Sequence, residues 1–163
     1  MAYETDLAYL AGIIDGEGTI SFQKNHHVKC WRGWQINPRV GISNTSVPMI
    51  NYLKNFFEKI KIAYSCSAKQ ENRKKTAYVL QVSRHSHILR LLDLVTPFLI
   101  AKKKQASLLK EWIDIQNKRH NSMYTRSSET GQITGARRQN YTERQMDIYE
   151  EVKELNYRGL RTP

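Results

Sequence analysis

Ala8, Gly12 and Gly16 recur every fourth residue through a stretch whose apolar run, Leu7 to Ile14, suits an α-helix. Positions i, i+4 and i+8 share one side of a helix. That side is therefore nearly bare of side chains. Glycine inside a helix costs about 1 kcal/mol relative to alanine, and close approach of a second backbone is the gain that offsets it. Thr5 or Asp6 is a fitting N-cap, and Gly16 and Gly18 are expected to end the helix. A chain that begins in this way must give the bare stripe something to pack on.

From Thr19 the apolar period changes to two. Ile20 and Phe22 alternate with Ser21, Gln23, Asn25, His27 and Lys29, which describes a strand with one apolar and one polar face. Trp31 to Trp34 makes a turn, and a second strand follows through Ile36, Val40 and Ile42. Val47 to Ile60 is helical in pattern, with Thr45-Ser46 before it and Pro48 in its first turn. The scheme then repeats. Strands at Ile62–Lys69 and Thr76–Val82 flank a basic turn, Gln70 to Lys75, and helices follow at Ser86–Val95 and Lys102–Asn117. Four antiparallel strands backed by helices make an α+β domain with one open sheet face. Residues 1–119 form this core domain. Residues 120–163 form an extension: a loop from His120 to Asn140, a helix from Tyr141 to Tyr157, and a frayed tail.

The 163 residues suit one domain, and their charge narrows the partner. Lys and Arg number 26 against 15 Asp and Glu, a net charge of +11 and a pI near 9.7. No carboxylate occurs from Gly18 through Phe57, and Glu71 is alone between Lys59 and Leu92. Such a balance implies a polyanion, meaning nucleic acid or an anionic membrane surface. Two cysteines, Cys30 and Cys66, exclude a disulfide framework and a zinc finger, and read as reduced thiols of an intracellular protein. Met1 to Asp6 shows no basic region followed by an apolar run and no stretch approaches membrane length, so neither secretion nor a transmembrane role is expected. The polar strand face carries amides, hydroxyls, His, Lys and Arg, which read base edges and phosphates. Candidate DNA contacts are Ser21, Gln23, Asn25, His27, Lys29, Arg32, Gln35, Asn37 and Arg39. The second strand pair adds Lys69, Arg73, Lys74 and Lys75. Beyond it stand Lys104, after the sheet, and Arg137 and Arg138, in the later loop. His26 and His27 point to opposite faces of a strand and lack a third metal ligand.

Leu10-Ala11-Gly12-Ile13-Ile14-Asp15-Gly16-Glu17-Gly18 resembles the signature of the LAGLIDADG homing endonucleases, with six of nine residues identical. The resemblance extends from Asp6 to Asn117. Pro97-Phe98-Leu99, followed by Lys102, Lys104 and Gln105, is similar to the single-motif members. It implies an αββαββα fold with a saddle-shaped four-stranded sheet. One motif per chain implies a homodimer joined through Ala8, Ala11, Gly12, Asp15 and Gly16. It also implies a site-specific, intron-encoded enzyme that breaks both strands of a long pseudo-palindromic DNA site and leaves 3′ overhangs.

By the same resemblance Glu17, standing where Asp is commonest, is the catalytic acid. Two such carboxylates ~4 Å apart repel by about 4 kcal/mol at an effective dielectric of 20, a penalty that divalent cations convert into binding. Glu17 and the Gly16 carbonyl are the implied Mg²⁺ ligands, with Mn²⁺ able to substitute and Ca²⁺ able to bind. Lys102 matches the active-site lysine, and Asn44 a position often held by Gln that orients water. Asp15 reads as a capping or bridging residue at the helix end. The chain departs from several relatives at Thr45-Ser46-Val47-Pro48, where they have a basic residue. The alternatives are an intron-splicing maturase that holds folded RNA, and a DNA-binding regulator that does not cleave. No membrane partner is expected.

Overall fold

The computed structural model describes residues 2–27, 33–70, 75–126, 133–136 and 140–157. Helix α1 (Ala2–Glu17) leads into β1 (Gly18–His26), followed by β2 (Trp34–Asn44), α2 (Val47–Lys59), β3 (Ser65–Lys69) and β4 (Ala77–Val82). Then come α3 (His85–Val95), α4 (Lys103–Met123), the short strands β5 (Tyr124–Arg126) and β6 (Ile133–Ala136), and α5 (Glu143–Leu155). The main sheet is antiparallel throughout, in the order β1-β2-β4-β3. Helices back one face of it, as the sequence predicts for an α+β domain.

Leu7, Leu10, Ala11 and Ile14 follow the i, i+3, i+4, i+7 rule and are buried, so they turn α1 towards the core. The helix runs through Gly12 and Gly16, correcting the expectation that Gly16 ends it. Glu17 is therefore its last residue rather than the one beyond. The stop comes at Gly18, where a Cβ would lie 2.7 Å from both the Cα and the carbonyl oxygen of Ile14. Only glycine lets the chain reverse this tightly from helix into strand.

Alternate residues Ile20, Ile36, Val40, Ile42, Leu80 and Val82 point inward and are buried. They meet Ile50, Leu53 and Phe57 of α2, Ile88, Leu91 and Leu92 of α3, and Leu109, Trp112 and Ile113 of α4. Ser46 caps α2, its hydroxyl accepting from the Met49 amide at 3.5 Å. The other end of α2 explains why β3 starts at Ser65 and not at Ile62. Lys61 takes a left-handed conformation, φ 56°. The Ile62 amide turns back to the Phe57 carbonyl at 2.8 Å, and Lys61 to Glu58 at 3.0 Å, so Ile62 closes the helix instead of opening a strand.

The C-terminal extension belongs to the same core, for Ile148 and Val152 are buried within it. It also covers two strand edges. β4 pairs with β2 only from Val40 to Asn44, so one edge of the first half of β2 lacks a neighbouring strand. Pro38, which cannot donate, sits in that half. The Tyr141 hydroxyl accepts from the Ile36 amide at 3.0 Å and donates to the Ile36 carbonyl at 3.4 Å, standing in for a strand. On the outer edge of β1, Asn156 Nδ2 donates to the Ile20 carbonyl at 2.8 Å. A Glu111–Arg144 pair with two 2.7 Å bonds ties α4 to α5. Where the sequence predicts a loop over 120–140, α4 continues to Met123 and β5 pairs with β6. Among the described residues no helix is long and apolar enough to cross a membrane.

Replacing Gly18 with Ala forces a Cβ against backbone that cannot yield. Overpacking of this kind is expected to lower the unfolding free energy by about 3 kcal/mol, read as a shifted urea midpoint at fixed protein concentration.

Candidate active site and nucleic-acid face

The last turn of α1 leaves carbonyls without helical partners and carries the negative end of the helix dipole. Lys102, just before α4, answers both. Its Nζ donates to the Ile14 carbonyl at 3.0 Å and to the Asp15 carbonyl. In return the Asp15 carboxylate accepts the backbone amides of Ile100 at 2.7 Å, Ala101 at 3.2 Å and Lys102 at 2.9 Å. Desolvation pulls the Asp15 carboxyl upward. The three amide bonds and the Lys102 charge outweigh it and hold the group below its ordinary value. This reciprocal clasp fixes the helix end to the segment between α3 and α4. Lys102 is engaged with the helix terminus, and Asp15 bridges within its own chain.

Glu17 follows on the exposed side, and Asn44 at the end of β2 reaches it. Asn44 Nδ2 donates to Glu17 Oε2, while Asn44 Oδ1 accepts from the Ser46 amide at 2.7 Å. Both ends of the Asn44 amide are thus used, and it positions the Glu17 carboxylate. Gly16 and Glu17 are both exposed. A carboxylate and a backbone carbonyl are the hard oxygen donors that Mg²⁺ prefers. No group of three or more His, Cys, Asp or Glu that could hold a metal gathers among the described residues. The donor set therefore fits a divalent cation as part of a site, to be completed by ligands from outside the chain.

The bare stripe is exposed at Ala8, Gly12 and Gly16, and a Cβ added at either glycine would meet nothing within 4 Å. Ala11 does not join it: fully buried in its own core, it cannot reach a second chain, which corrects its place in the expected interface. Asp15, expected there too, has its carboxylate turned to the Ile100–Lys102 amides. Tyr9, 49% exposed, lies beside the stripe and meets Tyr52 edge-on at 5.4 Å. The Tyr52 hydroxyl donates to Asp6 at 2.7 Å. Desolvation, that bond and the Asp6 charge push it up to about 12, so it remains a donor at neutral pH.

The strand register assembles the open face. Ser21 lies opposite Arg39, Gln23 opposite Asn37 and Asn25 opposite Gln35, so six expected contacts share one surface. Thr19, Gly41, Ser43, Lys69, Lys75, Val79 and Gln81 bound a hollow beside them. No described residue of this face is acidic. Of these, Thr19, Gly41, Ser43, Val79 and Gln81 are not among the contacts the sequence points to, although the period of two in Ala77–Val82 carries the last pair. His27 is exposed just past β1.

Other expected contacts lie elsewhere. Lys104, expected to contact DNA, stands exposed after the sheet, its Nζ paired with Glu151 of α5 at 2.7 Å. Trp34 faces the helix side, with Lys24 Nζ 4.3 Å above its ring and Tyr141 stacked on it. Lys29, Arg32, Arg73, Lys74, Arg137 and Arg138 lie outside the described residues. Cys66 is a free, exposed thiol.

The chain is an α+β domain whose helix-backed sheet has an open face that is polar and without an acid among its described residues, with an acid at the end of a bare helix stripe. The family model for the LAGLIDADG-like domain matches residues 4–96, over half of the chain, and the chain belongs to that family. Its fold is that of the homing endonuclease I-CvuI in complex with the I-CreI target. There the TM-score is 0.66 and the identity 16%, covering 99% of this chain and 88% of that one. That complex was formed in the presence of 2 mM Mg with the DNA not cleaved, and I-CvuI was also solved with its own target in 2 mM Ca. The archaeal intron-encoded homing endonuclease I-Vdi141I, complexed with DNA, gives 0.66 at 18% identity, over 98% and 89% of the two chains. Against I-SmaMI bound to cleaved DNA the TM-score is 0.61 at 16% identity, and 95% of this chain covers 44% of that chain. A search of curated proteins finds no match.

The clasp has a measurable share in stability. Asp15→Asn keeps the shape but turns one of the two accepting oxygens into an NH2 that cannot accept, so at least one of the three bonds is lost and the rest lose their charge. It is expected to lower the unfolding free energy by about 2 kcal/mol in urea titration.

Proposed function

We propose that this chain is a homodimeric, Mg²⁺-dependent, site-specific endonuclease that breaks both strands of a long, pseudo-palindromic DNA duplex and leaves 3′ overhangs. One observation carries the reading: Glu17 is an exposed carboxylate at the end of an exposed small-residue stripe, held by Asn44. Packing two such stripes together brings two Glu17 carboxylates near a two-fold axis, supplying the donors that one chain lacks. Coverage of 88% of the I-CvuI chain but only 44% of the I-SmaMI chain supports one such unit here, and hence a second copy. Two-fold protein symmetry then implies an approximately symmetric DNA site.

The two open faces would lie in successive major grooves, where amides, hydroxyls and Arg39 meet base edges while Lys69 and Lys75 meet phosphates. Glu17 and the Gly16 carbonyl would hold the divalent cation. Such an ion, when bound, activates water and stabilises charge on the phosphate and the leaving 3′ oxygen. Asn44 keeps Glu17 in place. The Lys102–Asp15 clasp keeps the helix end fixed against the segment between α3 and α4, so that the carboxylates face one another without reorganisation at the moment of reaction. The Lys102 ammonium adds positive charge beside the negative helix end.

The test is end-sequencing of a duplex library incubated with wild-type or Glu17→Gln protein, in Mg²⁺ or in EDTA. Paired, staggered ends are expected from the wild type in Mg²⁺ alone, with at least a 100-fold loss in the variant, on the order of 3 kcal/mol of barrier. Tight binding without ends in any divalent metal would favour a non-cleaving DNA or RNA binder.

A further inference from the structure

We propose that Arg39 reads a guanine in each half of the DNA site and that Ser21 and Gln23 hold it in place for that contact. This deepens the endonuclease reading and rests on it. Arg39 stands on the floor of the open face, directly across the ladder from Ser21 and diagonal to Gln23. Its Nε donates to Ser21 Oγ at 3.2 Å and its Nη1 to Gln23 Oε1 at 3.3 Å. Both partners are neutral. No carboxylate pairs with Arg39 among the described residues, so its charge is uncompensated within this face. A guanidinium has five N–H donors in a planar fork. The two bonds fix that plane and leave Nη2, with the second hydrogen of Nη1, for a planar pair of acceptors.

The surroundings favour a base edge over a phosphate. Arg39 is half-buried between strands rather than placed on the rim, where Lys69 and Lys75 are exposed. The next outward position on β2 is Gly41, opposite Thr19 on one side and Gln81 on the other. With no side chain there, a hollow opens beside the guanidinium, lined by Arg39 itself with Thr19, Gly41 and Gln81. The neighbouring outward residues, Asn37 and Gln23, are amides, which also bond base edges. In the major groove guanine presents the O6 and N7 acceptor pair that matches an arginine fork, and such a contact discriminates about 10–100-fold against other bases.

Ser21 and Gln23 act through Arg39 and are positioning residues. Removing either leaves the charge but frees the fork, so the preference for guanine should weaken while the salt dependence of binding stays the same. A merely structural role for either would lower stability without altering base preference.

The experiment is selection from a randomised duplex library in Ca²⁺, with sequencing of the bound fraction. The proteins are wild type, Arg39→Ala, Arg39→Lys and Gln23→Ala, each checked for folding by thermal melting. In wild type, one position in each half-site should prefer G·C about 10–100-fold, the two positions being related by the dyad. Arg39→Ala should erase that preference at those two positions alone, Arg39→Lys should blunt it, and Gln23→Ala should weaken it. Uniform weakening of all sequences by Arg39→Ala, with every preference intact and a shallower salt slope, would assign Arg39 to a phosphate and overturn the proposal alone. Enrichment of no duplex by the folded wild type would overturn the endonuclease reading and this proposal with it.

Discussion

Everything functional in this chain depends on how the C-terminal end of α1 is held. A helix that ends in Glu17 places a carboxylate against the negative end of its own dipole, an arrangement that costs on the order of 0.3–1 kcal/mol when nothing answers it. Lys102 answers it by donating to the Ile14 and Asp15 carbonyls, and Asp15 returns the bond by gathering three amides of the segment around Lys102. The two residues close a loop of charge-assisted bonds between elements distant in sequence. Gly18 completes the arrangement, because only its missing Cβ lets β1 leave the helix directly beneath Ile14. The acid, the bare stripe and the first strand are consequently one rigid corner.

From that corner the period of two in β1 and β2 does two jobs. Inward residues make the core with all five helices, and outward ones make a polar surface with no acid among its described residues. The C-terminal segment makes this surface usable. Tyr141 and Asn156 bond backbone groups of Ile36 and Ile20 on strand edges that lack neighbours, and so blunt those two edges as templates for pairing with other chains. An apparently optional extension is thus part of the packing that presents the face.

Much of this was legible in the sequence because it rests on local period. The alternation through Ser21, Gln23 and Asn25 correctly assigned the open face, and the i, i+4, i+8 spacing found the stripe. The family resemblance misled at Ala11, since a small residue one position from the stripe belongs to the buried side. The shift of β3 was hidden because the left-handed residue that closes α2 is Lys61, which carries no glycine signal. Asp15 could be read as a bridge, but its partners stand 85 to 87 residues away, and no local pattern names them. The contacts of Tyr141 and Asn156 span 105 and 136 residues and were illegible for the same reason. Lys104 carried a charge suited to phosphate, and only the docking of α5 revealed Glu151 as its partner.

The central claim is that two chains meet along the stripe of Ala8, Gly12 and Gly16. Sedimentation of the wild type and of Gly12→Leu tests it most directly. A leucine at position 12 has open space within its own chain, so the variant should keep its circular dichroism while its side chain separates the helices. The wild type should sediment as two chains of 19.1 kDa each and the variant as one. A wild type that stays a single chain at every concentration, with or without duplex DNA, would contradict the claim. So would a Gly12→Leu protein that pairs as tightly as the wild type.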